Sequence, residues 1–145
     1  MSSVVFFILM FCGGISVAVQ PSINGRLAEK VGVIESSFIS FAVGALVLLA
    51  LVLISGRGNL RGIGDANWWE LTGGLLGAFF VTLTIVVVPK IGTASTMAAT
   101  ITAQLLTGLL LDQFGLFGLR AVPLDGKRTL GAALLLIGAG LVFRR

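Results

Sequence analysis

The sequence predicts an all-α integral membrane protein with five transmembrane helices. Its composition indicates lipid as the solvent, because 57% of the 145 residues are hydrophobic, only 11% are charged and the mean hydropathy is +1.09. Soluble domains carry about a quarter charged residues. The charged residues also leave five long uncharged stretches without alternating polarity. Such runs are typical of membrane helices and not of a membrane barrel.

Each uncharged stretch is long enough for one membrane crossing. A helix needs roughly 20 residues to cross about 30 Å of hydrocarbon, and four of the stretches have 19 to 25 residues. The last has 15, and it crosses if the basic residues at 127–128 and 144–145 extend their charged ends to the interface. We expect a single transmembrane domain, residues 1–145, with spans over residues 4–27, 34–55, 68–89, 93–117 and 128–143.

The residue inventory argues against an enzyme. Cys12 is the only cysteine and the sequence contains no histidine, which excludes a disulfide within one chain and histidine catalysis. It also lacks a nucleophile paired with a base, a metal-ligand cluster and a nucleotide-binding loop. We therefore expect no cofactor and no metal. The basic residues lie at span ends, which indicates membrane lipid, not nucleic acid, as the partner of these charges.

The Lys and Arg residues divide equally between the two sides of the membrane. One side holds Arg26, Lys30, Lys90, Arg144 and Arg145, and the other holds Arg57, Arg61, Arg120, Lys127 and Arg128. Orientation normally follows an excess of basic residues in cytoplasmic loops, so a chain without this excess inserts both ways. Two opposite copies then pair with the symmetry of inverted-repeat transporters. We predict an antiparallel homodimer of ten helices; the alternative is that small loop counts balance by chance.

Two of the predicted helices carry a polar stripe. At 100° per residue, the members of each stripe fall within about 80° of one another. The stripes are Gly13, Ser16, Gln20 and Asn24 on the first helix, which Pro21 is expected to interrupt, and Thr93, Thr96, Thr100, Gln104 and Thr107 on the fourth. If both stripes face one cavity, they supply donors and acceptors to a polar substrate. Alternatively, the threonines bond back to their own helix and Gln104 only holds helices together.

The candidate substrate-binding residues from the stripes are Gln20, Asn24, Thr100 and Gln104, and Asp112 is the fifth candidate. Asp112 follows 21 uncharged residues, and a carboxylate below the membrane surface is typical of a functional site. It is the one deep candidate for proton coupling. The alternative is a carboxylate at a helix end, paired with Arg120 or with a basic residue of a partner copy.

Small residues mark the predicted helix contacts. Gly73 and Gly77 are four residues apart on the third helix, and Gly131 and Gly138 are seven apart on the fifth. Each pair therefore shares one face, where a neighbouring helix can approach closely. The fifth helix is a candidate dimer contact, although packing within the chain explains its glycines equally well.

Five stretches cover nearly the whole chain and carry a resemblance to a known family. They are AVQPSINGRLAEKVG, SFISFAVGALVL, WWELTGGLLGAFFV, PKIGTASTMAATITAQLLTGLLLDQFGLFG and GKRTLGAALLLIGAGLVFRR. Together they resemble the five-helix YdcZ-like branch of the drug/metabolite transporter superfamily. The resemblance implies a bacterial inner-membrane protein that pairs with itself in dual topology or with a paralogue of opposite topology.

We therefore predict a secondary transporter that moves small polar or amphipathic molecules, as an exporter, by alternating access between two inverted subunits. The small multidrug resistance proteins of the superfamily exchange protons through a glutamate in their first helix, where this chain has Gln20 and Asn24. A neutral or zwitterionic substrate is thus at least as consistent with the sequence as a cation. The rival interpretation is a non-transporting assembly or regulatory subunit whose polar faces only mediate helix association.

Overall fold

The computed structural model describes residues 3–143, and these residues form five long α-helices. The helices are α1 (Ser3–Val31), α2 (Val33–Ser55), α3 (Gly73–Ile91), α4 (Thr93–Phe114) and α5 (Gly126–Phe143). Short 3-10 helices lie at Leu60–Asp65, Trp68–Thr72 and Leu116–Gly118. The second of them leads directly into α3, so the third apolar segment runs over Trp68–Ile91.

All five helical segments are long and apolar enough to cross a membrane. The prediction of an all-helical chain with five membrane helices is therefore confirmed. The antiparallel dimer stays a prediction. Arg144 and Arg145, which entered the count of basic residues, lie outside the described residues.

Two junctions between consecutive helices consist of a single glycine. Gly32 separates α1 from α2 with φ 103° and ψ 160°, and Gly92 separates α3 from α4 with φ 82° and ψ 158°. A side chain strongly disfavours this backbone region, whereas glycine enters it at no steric cost. The two glycines therefore allow one helix to end and the next to begin after a single residue.

Pro21 lies inside α1, and the helix continues through it as far as Val31. Its ring is fully buried. Proline removes one backbone hydrogen bond from a helix, but the bonds on either side carry α1 onward. Arg26 and Lys30 consequently belong to the last turns of α1 and not to a loop.

The described helices form two compact units. The N-terminal unit contains the helices up to Lys90, and the C-terminal unit begins at Ile91 and contains α4 and α5. Hydroxyl groups connect the helices of the N-terminal unit. The Ser36 hydroxyl of α2 donates to the Asn24 carbonyl of α1 at 2.8 Å, and the Thr82 hydroxyl of α3 lies 2.9 Å from Ser37 Oγ of α2. Interhelical hydrogen bonds of this kind are common in membrane proteins.

Candidate substrate site

A groove of about 480 Å³ lies between α1 and α2 in the N-terminal unit. Its lining consists of Ser16, Val19, Gln20, Ile23, Asn24 and Leu27 from α1, with Ile39, Ser40 and Val43 from α2. We call this cavity the α1–α2 groove. Its volume lies within the range of small-molecule pockets. None of these lining residues is charged.

The groove has a polar row and an apolar row because of helical spacing on α1. Ser16, Gln20 and Asn24 recur every four residues and form the polar row. The apolar row, formed by Val19, Ile23 and Leu27, has the same spacing and runs beside it. A molecule in the groove therefore contacts amide and hydroxyl groups on one side and branched apolar side chains on the other.

Asn24 is the most constrained polar residue of the groove. It is only 5% exposed, and its backbone carbonyl accepts the hydrogen bond from Ser36, which is completely buried. Its side-chain nitrogen Nδ2 is also buried and has no hydrogen-bond partner among the described residues. A buried donor without a partner costs about 1–3 kcal/mol. The backbone of Asn24 is thus fixed by α2, while its amide donor remains unsatisfied.

Gln20 and Ser16 differ from each other in how their polar atoms are used. Gln20 is half-buried, and its side chain makes no hydrogen bond to another residue of the described chain. The Ser16 hydroxyl donates to the Cys12 carbonyl at 3.2 Å, so only its oxygen lone pairs remain for a ligand. The structure therefore brings the two predicted amides, Gln20 and Asn24, into one groove.

The predicted polar residues of α4 lie in the C-terminal unit. Thr100 is half-buried and Gln104 is exposed. Of the stripe threonines, Thr96 donates to the Gly92 carbonyl in the preceding turn at 2.8 Å, as the alternative interpretation proposed. Thr102, outside the stripe, likewise donates to the Ala98 carbonyl at 2.8 Å. The meeting of the α1 and α4 stripes around one cavity stays a prediction.

Asp112 occupies the last turn of α4 and forms an ion pair with Arg128 in the first turn of α5. The two side chains are 37% and 27% exposed. Arg128 also donates to the Val122 carbonyl at 2.9 Å, and the Asp112 carbonyl accepts from the Val122 amide at 2.8 Å. We call these three residues the Asp112–Arg128 clamp. Its cation is Arg128 and not Arg120, and a role of Asp112 in substrate binding stays a prediction.

A second groove, of about 430 Å³, lies between α4 and α5. Its lining is Ala98, Ile101 and Thr102 from α4 with Gly131, Leu134, Leu135, Gly138, Ala139 and Val142 from α5. We call it the α4–α5 groove. Thr102 is the one polar side chain in this lining, and its hydroxyl donates to Ala98. The groove therefore offers an almost purely apolar surface.

The four predicted packing glycines fall into two groups. A Cβ atom built at Gly77 would lie 3.2 Å from Cζ of Phe41, so the Phe41 ring of α2 lies against α3 at this point. A Cβ at Gly73, Gly131 or Gly138 would meet nothing within 4 Å in the described chain. Within the described chain, Gly77 is thus the predicted packing glycine whose face a neighbouring side chain occupies.

The hydroxyl cluster of Ser36, Ser37 and Thr82 was not among the predicted residues. The available signal was the pair of serines that opens the apolar α2, in the stretch ESSF, because polar groups in a membrane helix need partners.

The described residues contain no cluster of metal ligands. Within residues 3–143, no group of three or more Cys, His, Asp and Glu side chains is placed to hold a metal ion.

Comparisons with known proteins agree with the membrane architecture. Residues 5–141 match the family model described as "Putative inner membrane exporter, YdcZ". The chain is 33% identical over 141 residues to the Inner membrane protein YdcZ of Escherichia coli (strain K12), and the match covers 94% of this chain and 93% of that relative. No solved structure matches the chain significantly. The resemblance found in the sequence is thereby confirmed.

Proposed function

Because the chain belongs to the YdcZ family of inner-membrane exporters, we propose that it exports small polar or amphipathic molecules by alternating access between two inverted subunits. The chain is a multi-pass protein of the inner membrane. Its family is one of transporters and not of enzymes. The observation that carries the proposal is the α1–α2 groove, in which two amide side chains and two serines line an uncharged cavity beside apolar side chains.

The position of this groove suits two inverted copies. Gln20 lies seven residues beyond the middle of the uncharged stretch 1–25, which is roughly 10 Å along a helix. Transporter sites lie near the bilayer midplane, between repeats of opposite orientation. In an antiparallel pair, one groove lies nearer each side of the membrane. A substrate moving between them therefore crosses the midplane.

The balance of basic residues supports the same arrangement. Arg26 and Lys30 end α1, and Lys127 and Arg128 begin α5, so both sides of the membrane carry cations. Neither orientation is then strongly favoured on insertion. An equal population of both orientations supplies the two subunits of an inverted pair.

The experiment that tests the inverted pair is thiol labelling of intact cells. The protein carries Cys12→Ser and a single new cysteine at its C-terminus, and an impermeant reagent is applied from each side of the membrane. We expect labelling from both faces. The matched control adds two lysines to the C-terminus, which should shift the labelling to one face and reduce transport. Labelling of the original protein from one face only would contradict the homodimer and favour a partner of opposite topology.

Substitutions separate transport from a purely structural role of the polar residues. If Gln20 lines the substrate path, Gln20→Leu should reduce efflux and leave the dimer intact. Gln104→Leu tests the α4 stripe in the same way, because a residue that only holds helices together would lower dimer formation instead. Dimer formation is measured by cross-linking in membranes. Equal efflux with all three proteins, including the unsubstituted one, would contradict the proposed role of both amides.

A further inference from the structure

We propose that Asn24 recognises the carbonyl group of an uncharged amphipathic substrate in the α1–α2 groove. This inference rests on the proposed transport function and names the substrate class of the same site. Asn24 is the residue whose donor is buried without a partner in the described chain, and it belongs to the lining of the groove. A carbonyl oxygen satisfies such a donor, and the apolar row accommodates the rest of the molecule.

The charge of the groove selects an uncharged substrate. Its nine lining residues include no Asp, Glu, Lys or Arg. Transfer of an unpaired ion from water to a low-dielectric site is very costly, whereas a neutral polar group needs only hydrogen bonds. A cation or an anion in this groove would find no opposite charge among the lining residues. A neutral molecule loses much less hydration free energy when it enters.

The donors and acceptors of the groove favour a carbonyl over other neutral groups. Asn24 Nδ2 is the buried donor without a partner in the described chain, whereas the hydrogen of the Ser16 hydroxyl is already donated to Cys12. Gln20 contributes a second amide, which both donates and accepts. A carbonyl group accepts two such donations. A molecule that also carries an N–H group next to its carbonyl, as a secondary amide does, additionally has the Gln20 and Ser16 oxygens as acceptors.

The side chain of Asn24 reaches the ligand by a small movement. Nδ2 itself is buried, Asn24 belongs to the lining of the groove, and the torsion about the Cβ–Cγ bond of asparagine is soft. Rotation of the amide about this bond presents the N–H to the groove. The backbone stays in place during this rotation, since the Asn24 carbonyl holds the hydrogen bond from Ser36.

Because Ser36 bonds to the backbone carbonyl of Asn24, the Asn24 side chain can be replaced without breaking this contact. Substitution of Asn24 retains its carbonyl and hence the contact with Ser36. Asn24→Leu removes the unsatisfied donor at nearly constant shape, and replacement of such a group by an apolar one is neutral or stabilising. We therefore expect Asn24→Leu to melt at the same temperature as the unsubstituted protein or higher. A role of the Asn24 amide in helix packing would lower the melting temperature instead.

The test measures binding of two probes to the full chain in lipid nanodiscs, with empty nanodiscs as the background. N-butylbenzamide carries a neutral secondary amide, and N-benzylbutylamine has the same skeleton without the carbonyl and is a cation at pH 7. We expect the unsubstituted protein to bind the benzamide more tightly than the amine. Asn24→Leu should weaken benzamide binding at least tenfold. Asn24→Asp should bind the amine more tightly than the unsubstituted protein does, because the cation supplies the opposite charge that a buried carboxylate needs.

The matched control is Asn59→Leu, which removes an amide that caps a short exposed helix outside the groove. It should leave binding of both probes unchanged. Unweakened benzamide binding by Asn24→Leu would overturn the proposal, and so would tighter binding of the amine to the unsubstituted protein. Either result leaves the two-face labelling of the C-terminal cysteine untouched. The proposal of the substrate class can therefore be contradicted while the proposal of an inverted-dimer transporter stands, and the reverse.

Discussion

The α1–α2 groove and the α4–α5 groove are alike in size and opposite in chemistry. Each lies between two consecutive helices, and their volumes are about 480 and 430 Å³. In the first, Gln20 and Asn24 have polar groups without partners in the described chain. In the second, the glycines of α5 provide space but no hydrogen-bonding group. The first groove suits a polar solute, and the second suits an apolar chain of lipid or a helix.

The charged residues near the two grooves differ in a further way. Among the described residues of the C-terminal unit, the ion pair is that of the Asp112–Arg128 clamp, which joins the end of α4 to the beginning of α5. Arg26 and Glu29 of α1 form an ion pair that is exposed to solvent. Whether a polar residue already has a partner, more than its presence in an apolar segment, therefore indicates whether it is available to bind a ligand. Asp112 has a partner, and the Asn24 amide nitrogen has none within the described chain.

The largest effect is expected from breaking the clamp. Asp112→Ala leaves the half-buried Arg128 guanidinium without its carboxylate. We expect a loss of about 1.5–3 kcal/mol in the free energy of unfolding, the usual value of a hydrogen bond to a charged group. Unfolding in mixed detergent micelles, followed by circular dichroism, measures it. Arg120→Gln is the matched control, because Arg120 has no ion-pair partner in the described part of the chain.

Exchanging the two charges of the clamp tests whether the ion pair itself supplies this stability. Exchange of the two charges, in the double variant Asp112→Arg with Arg128→Asp, should restore part of the lost stability. If Asp112→Ala unfolds like the unsubstituted protein but no longer transports, the carboxylate belongs to proton coupling and not to the clamp. That result would move the functional chemistry from α1 to α4.

A smaller effect is expected from the hydroxyl that holds α2 against α1. Ser36→Ala removes the bond to the Asn24 carbonyl and should cost about 1 kcal/mol, since interhelical hydrogen bonds in membranes contribute roughly 0.6 to 2 kcal/mol. Ser55→Ala is the control, because the Ser55 hydroxyl is exposed and bonds within its own helix. The measurement is again the free energy of unfolding. Equal stability of the two variants would show that Ser36 does not fix the groove.

The helices were predictable because long apolar runs leave the chain few alternatives in lipid. The shared face of Gln20 and Asn24 followed from helical spacing alone. The burial of Asn24 could not be predicted from the spacing on α1. It depends on Ser36 and its neighbours on α2, twelve residues further along the chain. The ion-pair partner of Asp112 could not be predicted from the sequence either. Arg128 reaches it only because the connection after Gly115 turns back, with Val122 bonded to the Asp112 carbonyl.

The single-residue junctions and the packing glycines show the same limit. A glycine before an apolar run indicates a helix boundary, but a junction of one residue depends on the positive φ that Gly32 and Gly92 adopt. Spacing by four or seven places two glycines on one face. It does not determine whether another helix occupies that face. Gly77 lies against Phe41, whereas Gly131 faces open space in the described chain, and the spacing of the glycines is compatible with either arrangement.

The smallest expected effect concerns Gly77 and Gly131. Alanine at either position gains up to about 1 kcal/mol of helix propensity. At Gly77 the gain is offset, because the new Cβ would lie 3.2 Å from Phe41 and the ring must move by a few tenths of an ångström. At Gly131 nothing in the described chain opposes it. We therefore expect Gly131→Ala to be the more stable of the two variants, by less than about 1 kcal/mol.

The opposite order would be informative about the α4–α5 groove. If Gly131→Ala is the less stable variant, something outside the described chain packs against Gly131. Such a contact comes either from a second copy of the protein or from within a single chain in its detergent micelle. Dilution of the protein into excess detergent distinguishes the two. A penalty that disappears on dilution belongs to a second copy seated in the groove, since dissociation removes the clash. A penalty that persists at every dilution excludes the second copy, because a single chain already carries it.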